Sequence, residues 1–156
     1  MRLTAYSDYA LRLLMYLAVK DNGRATIPEM AEAYGISRNH LMKVVHQLGQ
    51  AGYLETVRGR NGGMRLGRQP DAIGLGELVR FTEPDMDVVP CFRLDNQDCA
   101  LRRACRLKGA LDRARLAFLA VLDEYTLADL TSTPGPMRSF LGLVARSQEP
   151  ATGPRD

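Results

Sequence analysis

The sequence predicts a mostly α-helical chain, a winged helix-turn-helix with a small β-hairpin wing followed by a long C-terminal helix. Three observations predict it. Two short capped helical segments are joined by a tight turn containing Gly35, two alternating segments flank a tip rich in glycine and arginine, and a long apolar stripe follows a segment bearing all three cysteines.

Thr4 is a suitable N-cap, and Tyr6, Ala10, Leu13 and Leu17 then recur at helical spacing, with Leu14 widening the stripe. Asp21-Asn22-Gly23 should stop that helix. Thr26 opens a second helix, with Pro28 in its first turn and Glu29 placed to close a capping box. Its inward side is Ile27, Met30, Ala31 and Tyr34. Gly35 permits the turn, and Ser37 caps a third helix whose apolar face is Leu41, Val44, Val45 and Leu48. Tyr53–Val57 and Met64–Leu66 alternate like paired strands around Arg58-Gly59-Arg60-Asn61-Gly62-Gly63. Residues 73–81 predict a further short helix, weakened by two glycines. From about Ala104 to Leu130, Leu107, Leu111, Ala114, Phe118, Val121 and Tyr125 form a heptad seam. A helix of that length spans about 40 Å, and its natural partner is the same helix of a second subunit. The division expected is a winged-helix domain over 1–70, a linker helix and cysteine loop over 71–103, a dimerisation helix over 104–131 and a flexible tail over 132–156.

Charge and periodicity together point to nucleic acid. The net charge is only +3, but residues 37–68 hold six basic side chains against Glu55, and residues 83–98 hold five acids against Arg93. On the third helix, Asn39, Lys43, His46 and Gln50 lie opposite the apolar face, where a major groove would meet them. Ser37 and Arg38 begin that helix, and Arg58 and Arg60 project from the wing tip toward a narrow minor groove. An ordinary solvated helix face and hairpin is the alternative. Readers of this type bind as dimers, with recognition helices about 34 Å apart on double-stranded DNA.

Cys91, Cys99 and Cys105 are spaced C-x7-C-x5-C. An odd set of thiols with no secretion signal argues against a disulfide framework and for a cytoplasmic chain using sulfur for metal or redox chemistry. The spacing lacks the close pairs of structural zinc, and His40 and His46 fall on the reader helix. Soft thiolates spread along a loop suit an iron–sulfur cluster better. Arg102, Arg103, Arg106 and Lys108, with the start of the following helix, favour the negative charge of such a group. Unrelated thiols, a thiol switch or an adventitious zinc site are the other readings. Hydrophobic content of 46% and charged content of 25% are ordinary for a globular domain, and no apolar run is long enough for a membrane span. A Gly-rich cofactor loop and a Ser/His/Asp set are both missing, which argues against an enzyme.

Taken in this order, the chain resembles the Rrf-type family of winged-helix iron–sulfur regulators over roughly residues 1–131. The resemblance is carried by Tyr6-Ser7-Asp8-Tyr9-Ala10, Ser37-Arg38-Asn39-His40-Leu41, the wing tip and the cysteine triad. Some members add a histidine three residues after the last cysteine to hold a 2Fe–2S cluster; Lys108 stands there instead. The resemblance therefore implies the 4Fe–4S type, in which three cysteines are joined by an aspartate from the other subunit's first helix, matching Asp8, with Asp95 and Asp98 as local competitors. An oxygen donor would leave one iron more labile than its thiolate-bound neighbours. The implied function is a cytoplasmic homodimeric repressor that senses nitric oxide and releases its operator; a sensor of iron–sulfur supply or redox state is the alternative.

Overall fold

The computed structural model describes residues 2–57, 59, 62–93, 99–101 and 104–143. Helix α1 (Ala5–Val19) runs through the middle and buries Ala10, Leu13, Leu14 and Leu17. Thr4 caps it as expected, its side chain accepting from the Ser7 amide. Helix α2 (Ile27–Tyr34) closes the capping box with Thr26 and Glu29. It ends on Gly35 at φ 64°, a left-handed conformation open to glycine at little cost. Helix α3 (Arg38–Gln50) follows the turn and buries Leu41, Val44 and Leu48 against the domain.

Strand β1 (Leu54–Val57) pairs antiparallel with β2 (Gly63–Leu66), Leu54 opposite Leu66 and Val57 opposite Gly63. A backbone bridge between Ala25 and Met64 ties this hairpin to the start of α2. Two strands alone are marginal in water, and the wing is held because Leu54 and Met64 join the core formed by α1, α2 and α3. Beneath it, Tyr53 donates to Glu77 at 2.9 Å while Arg68 lies 4.4 Å over the tyrosine ring. Burial and the Glu77 carboxylate push the Tyr53 phenol up to about 12. Sitting above its ordinary value, that group contributes stability present below about pH 10 and lost as pH rises toward about 12.

Helix α4 (Leu75–Thr82) packs on α5 (Arg106–Asp123), clamped by Arg80 and Asp123 through contacts of 2.6 and 2.7 Å. A methyl at Gly76 would fall within 1.8 Å of the Asp123 carboxylate, so glycine leaves room for the Arg80–Asp123 pair where the two helices cross.

The helix expected over 104–131 is shorter and ends at Asp123. At 18 residues it spans about 27 Å. The chain then turns at 124–126: Tyr125 accepts from Leu75 N, and Leu127 donates to Ile73, both at 2.9 Å. Thr126 and Asp129 form a capping box that starts a separate helix, α6 (Leu127–Leu130), and Leu127 is buried in the main core. The heptad seam is divided accordingly. Leu111 and Phe118 are half-buried against the chain's own surface, whereas Leu107, Ala114, Val121 and Tyr125 face outward. Leu107 is 65% exposed and Val121 54%, leaving an apolar stripe, with Ala110 and Ala117 between them, that is unpartnered among the described residues.

Part of the expected tail is also structured. Helix α7 (Pro134–Phe140) returns to α1, where Arg138 donates to the Val19 carbonyl at 2.6 Å and pairs with Asp21 at 2.8 Å. Cationic Arg138 thus occupies the negative end of α1. Residues 144–156 lie outside the described residues. Among the described residues, no helix is long and apolar enough to cross a membrane.

Candidate nucleic-acid interface and thiol loop

Helix α3 is amphipathic because its apolar residues recur at i, i+3 and i+7, so burying Leu41, Val44 and Leu48 turns the opposite face outward. Arg38, Asn39, Lys43, His46 and Gln50 are all exposed there. Ser37 is exposed at the helix start, and its hydroxyl accepts from the His40 amide at 3.3 Å, which makes it the cap of the reader helix. His40 stacks on Tyr9 of α1, ring centroids 6.1 Å apart. At the wing, Arg65 is taken up by Glu55 at 2.7 Å, leaving the tip arginines Arg58 and Arg60 as the expected contacts. These two, with Asn61, lie outside the described residues.

The three cysteines form no disulfide. Cys91 sits in a short 3-10 turn (Pro90–Phe92) and is half-buried, Cys99 is exposed, and half-buried Cys105 is the N-cap residue of α5. The Cys105 side chain makes no capping hydrogen bond, so its sulfur is not committed to the helix end. Beside it, Asp87, Phe92, Lys108, Asp112 and Arg115 line a shallow cleft. Arg115 is held by Asp112 at 2.7 Å and lies 5.8 Å from the Phe92 ring, which ties the turn bearing Cys91 to the middle of α5. Among the described residues no three metal-binding side chains are drawn together. Residues 94–98, which carry Asp95 and Asp98 and separate Cys91 from Cys99, lie outside them, as do Arg102 and Arg103.

Asp8 occupies the first turn of α1, half-exposed, and accepts from Arg12 Nε at 2.9 Å. An exposed pair at i,i+4 contributes only about 0.3–0.5 kcal/mol, so the carboxylate is available to a better partner. Next to it, Ser7 is fully buried, and its hydroxyl donates to Glu83. Sequence reasoning did not find Glu83, because its partners stand 76 and 79 residues away and no local pattern marks it. Periodicity likewise gave no sign of the Arg115–Phe92 contact or the Tyr9–His40 stack.

Comparison with known proteins agrees with this geometry. The family described as Rrf2, iron-dependent transcriptional regulator, matches residues 3–133. The HTH-type transcriptional regulator NsrR of Bacillus subtilis is 53% identical over 144 residues, covering 92% of this chain and 99% of that protein. Its counterpart from Bacillus licheniformis is 48% identical over 142 residues, covering 90% and 99%. Among solved structures, CymR, the global cysteine regulator of B. subtilis, aligns with a TM-score of 0.67 at 30% identity, covering 85% of this chain and 97% of that one. IscR of T. potens shares the fold, with a TM-score of 0.68 at 24% identity and coverage of 88% and 91%.

Proposed function

Since the chain belongs to the Rrf2 family of iron-dependent transcriptional regulators, and is thus a regulator of transcription and not an enzyme, we propose that it is a homodimeric repressor whose grip on its operator depends on an iron–sulfur cluster and is released by nitric oxide. The observation that carries this reading is the placement of three disulfide-free thiols between a DNA-reading surface and an unpartnered apolar helix face.

The donor chemistry fits the group. Three soft thiols within fifteen residues suit iron–sulfide, and Cys105 at the N-terminal end of an 18-residue helix sits where negative charge is favoured. Cys91, Cys99 and Cys105 would hold a 4Fe–4S cluster, with Asp8 of the partner subunit as the fourth ligand. When bound, such a cluster supplies iron that reacts with nitric oxide. The chain's own part is positional. The exposed α5 stripe buries itself against the same stripe of a second copy, which sets the spacing of two α3 helices. Arg38, Asn39, Lys43 and His46 then meet the major groove, with Ser37 fixing the helix start and Arg58 and Arg60 at the wing tip reaching the minor groove. Arg12 stands ready to take back the Asp8 carboxylate once it is released, loosening one subunit's reader from the other's thiol loop.

The exposure of Cys99 favours a second reading, in which oxidation or iron scarcity is the signal. Titrating loaded protein with nitric oxide and, separately, with a simple oxidant distinguishes the two, since only nitric oxide should release DNA at stoichiometric dose on the first reading.

Asp8→Ala tests the ligand set. The variant should still fold, as Asp8 makes only a half-exposed pair. It should take up iron and sulfide anaerobically but lose them faster than the wild type, with an altered visible spectrum. An unchanged spectrum and unchanged cluster lifetime remove Asp8 from the set.

A further inference from the structure

We propose that Glu83 is the positioning residue that couples each subunit's thiol loop to the Asp8 which that subunit lends to its partner; the proposal rests on the cross-subunit ligand reading above. Three Thr-capped helices of this chain share one logic. In α2 and α6 the N3 residue is acidic and returns to the cap's own backbone: Glu29 accepts from Thr26 N at 2.6 Å, and Asp129 accepts from Thr126 N at 2.7 Å. In α1 the N3 residue is Ser7, too short to do so. Glu83 replaces it from the C-terminal end of α4, its Oε1 accepting from Thr4 N at 2.8 Å, from Thr4 Oγ1 at 3.2 Å and from Ser7 Oγ. The first turn of α1 is therefore completed by a residue 79 positions away.

Where Glu83 stands gives this substitution its consequence. It is the residue that ends α4, at φ −86° and ψ 133°, the extended conformation imposed on a residue before proline. Pro84 follows and opens the segment that carries Cys91, Cys99 and Cys105. A displacement of the loop root is thus passed stiffly to Glu83, then through a fully buried serine to the turn that holds Asp8, the next residue in the chain. Capping alone does not require this link, since the Ser7 amide already finds Thr4 Oγ1 at 3.2 Å. In the dimer, the state of one subunit's loop biases the donor offered to the other subunit's cluster, and by linkage the effect is mutual. Loss of one cluster should promote loss of the second.

The test measures hydrogen exchange at the Ser7 and Asp8 amides in the full-length protein, loaded anaerobically and metal-free, together with iron and sulfide content. In the wild type, loading should change exchange in this turn by about fivefold or more; in Glu83→Ala the difference should shrink below about twofold while the cysteines still take up iron. Glu83→Gln, which keeps the accepting oxygen, should restore most of the difference, as a merely destabilising substitution would not predict. If the alanine variant fails to fold, Ser7→Ala, which leaves the Glu83–Thr4 contacts in place, should at least halve it. A loaded protein whose Glu83→Ala and Ser7→Ala variants keep the full difference overturns the coupling alone. A wild type that takes up no iron and sulfide overturns the cofactor reading and this proposal with it.

Discussion

Raising salt from about 50 to 200 mM should weaken operator binding by about four to five orders of magnitude, provided each subunit neutralises about four to five phosphates. The basis is the contrast in how this chain uses its cations. Arg12, Lys20, Arg65, Arg80, Arg115 and Arg138 are each engaged by a carboxylate of their own fold. Arg38 and Lys43 stand exposed on the reader face, and Arg58 and Arg60 are expected at the wing tip. Binding releases the counterions those phosphates hold, so the loss is steep and nearly linear on logarithmic axes. Lys43→Ala should lower the slope by about two, one phosphate contact in each subunit, while weakening all sequences alike, whereas Asn39→Ala should cost about 1–3 kcal/mol per half-site only on sequences carrying the base it reads. Titrations of a duplex selected by the wild type from a random pool, across a salt series, measure both. A shallow slope that neither substitution alters would place the DNA elsewhere on the surface.

Ala114→Glu should turn the proposed dimer into a monomer and weaken operator affinity by about two to four orders of magnitude, the advantage normally gained by joining two half-site readers. Ala114 lies midway along the outward stripe of α5, between Leu107 and Val121, where its small side chain lets a second helix approach closely. Since it is exposed in the single chain, glutamate costs the fold of that chain little. In the dimer it sets like charges together inside an apolar contact. Sedimentation together with the same duplex titration reads the outcome. A variant that remains dimeric and binds normally would show that another surface pairs the subunits.

The reader was legible in the sequence because its signals are local and agree with one another. Thr4, Thr26 and Ser37 cap the helices they were expected to cap, and Gly35 takes the turn where a positive φ is needed. The alternation on either side of the wing tip became β1 and β2. Beyond residue 104, one regular pattern masked another. A seven-residue repeat continuing to Tyr125 suggested a single long helix, but Thr126-Leu127-Ala128-Asp129 carries its own capping box, and the backbone bonds to Ile73 and Leu75 favour a turn. The helix formed by Pro134–Phe140 was hidden by its paired prolines, which suit a first turn as well as a break. At the thiol loop, residue types suggest the chemistry proposed above, but the contacts that organise its root are long-range. Neither the Glu83 knot nor the Arg115–Phe92 contact has a spacing that a sequence displays.

Substituting Cys91, Cys99 and Cys105 together by serine, and comparing operator affinity with the wild type in oxygen-free, iron-replete preparations at one fixed salt concentration, tests the central claim most directly. Serine preserves side-chain size and no disulfide is lost, so the reader should fold unchanged. The wild type should be coloured and bind at least about fivefold more tightly than the colourless variant, the lower end of ordinary coupling between sites. A colourless wild type that binds the duplex with the same affinity as the serine variant would contradict it.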